Sequence, residues 1–443
     1  MGNKSRVTRR DFVKAVAVAA AAGVPKPIVG APAILTGPNP GSTVHYGFIG
    51  TGTEGCTLLK RLTTIPEGRC IATCDIYPPN LKKGVETIGS NPQTYTGSPF
   101  EYRKMLERKD LDAVLIATPL NLHAQMVIDS LNAGKHVFVE KTMYFKEEEG
   151  ELIQKAAQAN PKQVLQIGLQ RRSSVLYNVA MQMVHKGALG KVMFVRAQWH
   201  RNNNWRRPVS DPKFERLINW RMYREYSGGL MAELASHQVD VANWAFGSEP
   251  ISVQGTGGID YWKDGREVCD NIEVIFEYPE GRKMLYSSIL YNAHFQYDEQ
   301  IMGDHGTLII TIGKGMYFRE AAAKVTNGEA RKNWWAGATV TERSAQKGIP
   351  LILPNGTGET GQSYSDRDLL YAKKWLASLG IDYPVNEPHD PYWSELSNFM
   401  ASIRDGKPIA CPMEIGVADA RAVIYGNRAI DTGTRVFWPK KEA

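Results

Sequence analysis

The sequence of 443 residues lacks the features that mark several classes of protein. It has only five cysteines, and none of them shows the C-x-x-C or Cys/His spacing of a metal site. No apolar run reaches the roughly 20 residues that a membrane-spanning helix needs. The net charge of +7 is concentrated in the first 33 residues, so the rest of the chain offers no electrostatic basis for nucleic-acid binding. We therefore expect no metal, no membrane span and no nucleic-acid partner.

What remains is the composition of a globular protein, with 43% apolar and 22% charged residues. This length predicts two or three domains with ample core. Cys70 and Cys74 fall on one predicted strand about 13 Å apart, whereas the Cα atoms of a disulfide lie within about 7 Å of each other. We therefore expect all five cysteines to be buried free thiols.

The first 33 residues have the order of an export signal. Arg9 and Arg10 precede an Ala/Val run from Ala15 to Ala22, and Ala31-Pro32-Ala33 follows as a small-residue cleavage site. The paired arginines followed by Phe and Lys resemble the twin-arginine export signal. The alternative is a basic amphipathic helix that stays attached, although the Ala/Val run offers no polar face. We expect a signal peptide over 1–33, the twin-arginine export machinery as a partner, and a periplasmic or otherwise exported product.

A dinucleotide-binding fingerprint follows the first predicted strand, Val44–Ile49. The fingerprint is Gly50-Thr51-Gly52-Thr53-Glu54-Gly55. Its glycines permit a tight turn, close approach of the backbone to a pyrophosphate and close helix packing. The next strand ends in Asp75, whose carboxylate is placed to accept hydrogen bonds from a ribose and to repel a 2′-phosphate. NAD is therefore favoured over NADP, although the glycines alone would also suit an ordinary strand-to-helix turn.

Strand and helix patterns continue to alternate as far as residue 165, which predicts a doubly wound parallel sheet. The ligand crevice of such a sheet lies at the carboxyl ends of its strands. Two strand ends, Thr118 to His123 and Glu140-Lys141, fall at this edge. Lys141 beside a bound nicotinamide could hydrogen-bond a substrate hydroxyl or shuttle its proton. Without that context, Glu140-Lys141 could equally form a surface ion pair.

Together with Ala117-Thr118-Pro119 and the run from Ala133 to Lys141, these motifs resemble the Gfo/Idh/MocA family of oxidoreductases. The resemblance extends over 44–438 and weakens over 313–389. It implies a Rossmann domain over 44–165 and an α+β substrate and oligomerisation domain over 166–438. The second domain should contain a large, mainly antiparallel open sheet, with an insertion at about 313–389. The family usually has Pro after its Glu-Lys, whereas Thr142 stands here.

The fingerprint and the resemblance together assign the cofactor contacts. The assigned residues are Gly50, Gly52, Thr53, Gly55, Asp75, Thr118, Pro119, Asn121, His123, Glu140 and Lys141.

Glu233 and His237 are four residues apart on a predicted helix, and Asp240 follows three residues later on the same face. A carboxylate one turn from an imidazole can fix its tautomer and stabilise its cationic form. The three residues alone could equally be a cluster on a helix surface. The family resemblance implies that His237 is the catalytic base, with Lys141 beside it. Glu233 stands where the family has Asp, one methylene shorter.

Aromatic and guanidinium side chains supply candidate sugar contacts, which could instead form a solvated rim or subunit contacts. The candidates are Arg172, Trp220, Arg221, Tyr223 and Asp240. We expect an exported NAD-dependent oxidoreductase that transfers a hydride between a sugar or polyol hydroxyl carbon and a tightly bound nicotinamide. The alternatives are a redox-neutral glycosidase of the glycoside hydrolase family 109 type and a catalytically silent sugar-binding protein. The family also implies a homodimer or homotetramer.

Overall fold

The computed structural model describes residues 43–209, 211–320, 348–351, 366–382 and 389–439. The expected signal peptide and most of the expected insertion at 313–389 lie outside these ranges. Within them, no helix is long and apolar enough to cross a membrane. The five cysteines are free, and four are buried as expected. Cys269 is only half-buried, because it lies in a loop rather than in a sheet or helix of the core.

The first sheet has six parallel strands in the order β3-β2-β1-β4-β5-β6. The strands are β1 (Val44–Ile49), β2 (Gly68–Cys74), β3 (Gln93–Tyr95), β4 (Ala113–Ile116), β5 (His136–Glu140) and β6 (Leu165–Gly168). The helices between them are α1 (Thr53–Leu62), α2 (Pro78–Ile88), α3 (Glu101–Leu106), α4 (His123–Asn132) and α5 (Glu147–Ala159). All four residues of β4 are buried, as expected when helices cover both faces of a parallel sheet. The predicted doubly wound sheet is confirmed.

The sixth strand corrects the domain boundary that we placed between residues 165 and 166. Strand β6 pairs in parallel with β5, with Val139 opposite Ile167 and Glu140 opposite Gly168. The first sheet therefore extends to Gly168. A run of four residues is too short for its periodicity to show which sheet completes its hydrogen bonds.

The second sheet has nine strands in the order β14-β13-β12-β11-β7-β10-β9-β8-β15. They are β7 (Val192–Trp199), β8 (Ser252–Gly258), β9 (Asn271–Glu277), β10 (Lys283–Ile289), β11 (Tyr297–Gly303), β12 (Gly306–Thr311), β13 (Lys314–Arg319), β14 (Ile349–Pro350) and β15 (Val436–Phe437). Only the β7–β10 pair is parallel among the pairings described, so the predicted mainly antiparallel sheet is confirmed. The alternation in β9 buries Ile272, Val274 and Phe276 on one face.

Helices from both halves of the chain complete the two cores. They are α6 (Val175–His185), α7 (Ser236–Phe246), α8 (Asp366–Ser378), α9 (Pro391–Asp405) and α10 (Met413–Thr432). Helix α9 packs Leu396, Phe399 and Met400 into the same core as Val44 and Phe48 of β1. The chain therefore returns from the second sheet to cover the first.

A buried ion pair joins the turn after β6 to the second sheet. The guanidinium of Arg171 lies 3.0 Å from a carboxylate oxygen of Glu299 in β11 and stacks 4.6 Å from the ring centroid of Tyr297. The Tyr177 hydroxyl donates to the other oxygen of Glu299 at 2.8 Å. Burial raises the pKa of Glu299 despite this pairing. Each partner therefore depends on the other to remain charged inside the protein.

We predict that Arg171→Met destabilises the protein by about 3–5 kcal/mol, because it leaves the buried Glu299 carboxylate without its counter-ion. The double variant Arg171→Met/Glu299→Leu should lose less stability than the single variant, because it removes both charges and leaves no unpaired charge buried. Urea unfolding of the three proteins checks the order. A double variant less stable than Arg171→Met would contradict this account of the pair.

Candidate active site

A cleft of about 1240 Å³ opens at the carboxyl edge of the first sheet. Gly50, Gly52 and Asp75 line one side of it, and Trp199 and His237 from the second domain line the other. This is where ligands bind in open α/β sheets. The cleft thus brings the predicted cofactor residues and the predicted catalytic histidine to one space.

The glycine-rich turn has the geometry that a dinucleotide requires. Gly50 has a φ of 92°, and a Cβ there would lie 2.5 Å from the carbonyl oxygen of Ala117. A Cβ on Gly55 would lie 1.9 Å from the Gly50 oxygen, so Gly55 serves helix packing and does not line the cleft. Gly52 is the N-cap of α1 and has no side chain to accept hydrogen bonds from the first N–H groups of the helix. These N–H groups are therefore free to bind an anion. These residues fit the pyrophosphate of NAD.

Asp75 directly follows β2 and lines the cleft, as predicted for a ribose contact. Its carboxylate accepts the backbone N–H of Thr51 and that of Tyr77, each at 2.8 Å. Burial raises the pKa of Asp75, while these hydrogen bonds favour its charged form. The backbone therefore fixes the direction of the carboxylate before a ligand arrives, and the ribose contact stays a prediction.

The residues after β4 divide into two groups. Thr118, Pro119 and Asn121 line the cleft, and Oδ1 of Asn121 is buried without a hydrogen-bond partner. The two ring nitrogens of His123 lie 2.9 Å from the carbonyl oxygens of Thr118 and Thr142. Burial lowers the pKa of His123. Because both of its nitrogens face backbone, His123 positions two strand ends, and no nitrogen remains to hydrogen-bond a cofactor.

Lys141 joins the end of β5 to the second domain. Its Nζ donates to the carbonyl oxygens of Ala232 at 3.1 Å and Glu233 at 2.9 Å. Both carbonyls belong to a π-helical turn, Met231–Ala235, which runs directly into α7. Such turns are rare and concentrate at functional sites. Glu140 is buried, so the alternative of a surface ion pair between Glu140 and Lys141 is wrong.

His237 lies at the start of α7, buried, with Nδ1 lacking any hydrogen-bond partner. Its ring centroid is 5.7 Å from that of Trp199. Burial, together with the positive charges of Arg171 and Lys141, holds the pKa of His237 well below its usual range. The imidazole is therefore neutral at physiological pH and able to accept a proton.

The predicted orienting role of Glu233 is wrong. Its carboxylate accepts a hydrogen bond from Nε of Arg221 at 2.7 Å and makes none with His237. Burial raises the pKa of Glu233, but Arg221 and Lys141 outweigh this and hold it below the usual value. The π-helical turn widens the helix between positions 233 and 237, so four-residue spacing no longer stacks the two side chains.

The predicted substrate residues separate into two sets. Trp220 and Arg221 line the cleft. Arg172 and Asp240 do not, because they form a buried pair with a shortest distance of 2.7 Å. Tyr223 also lies outside the lining, where its hydroxyl donates to Glu215 at 2.9 Å. The prediction that Arg172, Asp240 and Tyr223 contact substrate is therefore wrong. The sequence around each residue does not show that its side chain is engaged by a partner elsewhere in the chain.

Several cleft residues were not predicted from the sequence. Trp199 is the last residue of β7 and Arg201 follows it, so the carboxyl end of this strand was the signal that could have found them. Tyr392 enters the cleft from α9. Only the folded chain brings this helix to the cofactor side.

Three carboxyl groups meet behind the cofactor side of the cleft. Glu54 and Glu140 line it, and Glu395 of α9 is buried behind them. One oxygen of Glu54, one of Glu140 and both of Glu395 are buried without a partner. Burial, reinforced by the neighbouring carboxylates, raises the pKa of Glu140 and that of Glu395. Among the described residues no group of acids, histidines or cysteines is arranged to hold a metal.

We predict that Glu395→Gln makes stability less sensitive to alkaline pH. The pKa of Glu395 is raised on folding, so its contribution is fully present below its unfolded pKa and is lost as pH rises through its folded pKa. The free energy of unfolding of the variant relative to wild type should therefore increase from pH 5 to pH 9. Urea unfolding at several pH values measures it, with the exposed Glu414→Gln as control. A constant difference between variant and wild type would contradict the buried-acid account.

The fold and the cleft define a two-domain protein with a dinucleotide-binding Rossmann domain. Residues 44–168 match the model of the oxidoreductase family with an NAD-binding Rossmann fold, and residues 177–309 match the GFO/IDH/MocA C-terminal domain. Together the two matches cover more than half of the chain. The chain belongs to the GFO/IDH/MocA family, and the predicted NAD-binding domain is confirmed.

Curated relatives carry glycosidase names. Glycosyl hydrolase family 109 protein 1 of Shewanella sp. (strain MR-4) is 30% identical over 239 residues, 49% of this chain and 50% of that protein. The alpha-N-acetylgalactosaminidase of Shewanella oneidensis is 28% identical over the same length, with the same coverage. The chain spans about half the length of the curated relatives it matches.

Solved structures share the fold. The aldose-aldose oxidoreductase of Caulobacter crescentus superposes with a TM-score of 0.65 at 20% identity, covering 89% of this chain and 100% of that one. The scyllo-inositol dehydrogenase of Lactobacillus casei, solved with NAD(H) and scyllo-inositol, has a TM-score of 0.62 at 19% identity, covering 89% and 99%. Both confirm the two-domain architecture.

Proposed function

We propose that the protein is an NAD-dependent oxidoreductase that acts on a hydroxyl-bearing carbon of a sugar or polyol. The observation that carries this proposal is the position of His237, a buried imidazole that lines the cleft onto which the NAD-binding turn opens. A neutral imidazole in such a place can accept the proton of a bound hydroxyl. The names of the structural neighbours support a sugar or polyol as substrate.

The residues divide the work of hydroxyl oxidation. A bound nicotinamide supplies the acceptor for a hydride. His237 accepts the hydroxyl proton. Lys141 has three N–H groups, two of which bind carbonyls, so one remains for the substrate oxygen. Arg221 holds the Glu233 carboxylate at 2.7 Å. Trp199 and Trp220 also line the cleft.

The second candidate is redox-neutral cleavage of a glycoside, which the names of the curated relatives favour. In this reaction the C3 hydroxyl is oxidised, which acidifies the proton at C2. Loss of that proton eliminates the aglycone, water then adds to the resulting double bond, and C3 is reduced again. The same His237 and Lys141 serve each proton transfer, so both candidates rest on one site.

We predict that His237→Ala and Lys141→Ala each lower turnover by about 10² to 10⁴-fold, the usual effect of a positioned acid-base group. Both variants should keep their fold and bound NAD, measured by circular dichroism and cofactor absorbance. The matched control is His294→Ala, because His294 is exposed and outside the cleft. Turnover near that of the control would show that the altered residue is structural.

We predict that the two candidates separate in one assay. The purified protein is incubated with a panel of aryl glycosides, without added cofactor, while free aglycone and absorbance at the reduced-nicotinamide band are followed. Sustained aglycone release with no net absorbance change would establish the redox-neutral reaction. Accumulated absorbance without aglycone would establish net oxidation. Neither signal with any glycoside or free sugar would favour the silent sugar-binding alternative.

We also propose export by the twin-arginine route, supported by the order of residues 1–33. Arg9→Lys/Arg10→Lys should retain the full-length precursor in the cytoplasm, whereas the unaltered chain should appear shortened near Ala33 in the periplasm. Fractionation and mass spectrometry check both. Export of the doubly substituted protein would contradict the assignment.

We propose a homodimer or homotetramer, formed through the face of the second sheet opposite α6 and α7. Strand β7 alternates buried Val195 and Ala197 with half-buried Phe194 and exposed Arg196, which leaves this outer face open to a second copy.

A further inference from the structure

Buried arginines in this protein generally have a carboxylate partner. Arg171 pairs with Glu299, Arg172 with Asp240 and Arg266 with Asp264, at distances of 2.7 to 3.0 Å. This pairing offsets the free energy of removing a guanidinium from water. Two arginines that line the cleft have no carboxylate partner among the described residues; Arg201 is half-buried and Arg207 is exposed.

The first is Arg201, which follows β7. It is half-buried and lines the cleft, and no carboxylate of the described residues lies within 4.0 Å of its guanidinium. The guanidinium stacks 4.8 Å from the ring centroid of Trp199, the ring that also contacts His237. Burial lowers the pKa of Arg201. The nearby Glu233 attracts it but is already held by Arg221. A poorly compensated cation therefore lies beside the proposed proton acceptor.

The second is Arg207, at the solvent-exposed rim of the same cleft. It also lacks a carboxylate partner among the residues that the structure describes. Its backbone is fixed, because Asn219 accepts its N–H at 2.7 Å and donates to its carbonyl at 3.1 Å. Desolvation and the like charge of Arg221 lower the pKa of Arg207. Arg207 is thus held near the like charge of Arg221, and no carboxylate of the described residues pairs with Arg207.

The acids around the cleft do not supply the missing charge. Glu233 is engaged by Arg221, and Arg206 and Arg216 are paired with their own carboxylates. Glu54 and Glu140 lie on the cofactor side, where burial raises the pKa of Glu140. Arg201 and Arg207 therefore have no described carboxylate as counter-ion. An anionic group of a ligand would supply one.

We propose that the sugar substrate carries an anionic group, a carboxylate or a sulfate ester, which Arg201 and Arg207 bind. This inference rests on the proposed function and names its substrate class. A guanidinium binds either group through two parallel N–H donors, and such charged hydrogen bonds are the strong ones. Trp199, on which Arg201 stacks, also contacts His237, so the guanidinium and the imidazole share one aromatic neighbour in the cleft.

The test uses calorimetry to measure how tightly matched pairs of sugars bind to the full chain loaded with NAD. The pairs are galacturonate with galactose, glucuronate with glucose, and galactose 6-sulfate with galactose, and the carboxylate and sulfate arms identify the source of the charge. We expect the acidic member of at least one pair to bind about ten- to a hundredfold more tightly. Arg201→Gln and Arg207→Gln should each reduce that ratio. Arg69→Gln, an exposed arginine outside the cleft, is the matched control.

Equal binding within every pair, or no binding of any acidic sugar, would overturn the inference even if neutral glycosides are turned over. Loss of bound NAD from Arg201→Gln and Arg207→Gln, with the sugar ratio unchanged, would also overturn it, because the arginines would then serve the pyrophosphate. Preferential binding of an acidic sugar without any redox change or cleavage would support the inference and contradict the proposed function. The two failures are therefore distinguishable.

Discussion

The hydrogen bonds from Lys141 to the carbonyls of Ala232 and Glu233 are the contact on which the rest of the site depends. They join the end of a Rossmann strand to the turn that presents His237. A π-helical turn leaves its backbone hydrogen bonds irregular, and the Lys141 ammonium engages two of its carbonyls. The bond therefore sets the strand end beside the NAD-binding turn against the turn that carries the imidazole, while helix α9 packs in the core of the first sheet.

Charge is distributed unevenly across the cleft. Behind the cofactor side, Glu54, Glu140 and Glu395 lie close together, and burial raises the pKa of Glu140 and that of Glu395. On the substrate side, Arg201 and Arg207 have no carboxylate partners. Both arrangements oppose stability, and proteins retain such groups where function requires them. Burial keeps His237 neutral, and the positive charges of Arg171, Lys141 and Arg201 further disfavour its protonated form.

The parts of the fold that were predictable are those that local sequence determines. The turn from Gly50 to Gly55 was readable because its glycines, strand and helix are contiguous, and Asp75 follows one element later. The Arg172–Asp240 pair could not be predicted, since its members are 68 residues apart and each alone resembles a substrate contact. The π-helical turn at 231–235 was also hidden, because four-residue spacing is typical of a regular helix. Strand β6 was not assigned to the first sheet because its place there depends on its pairing with β5, which its own four residues do not show.

The central claim is that this site transfers a hydride while its cofactor stays bound. The most direct measurement is the amount and redox state of nicotinamide released when the purified protein is denatured, before and after incubation with substrate. The account predicts close to one nicotinamide per chain and sustained activity without added NAD. A protein that is purified empty, with activity that rises in proportion to added NAD, would contradict it.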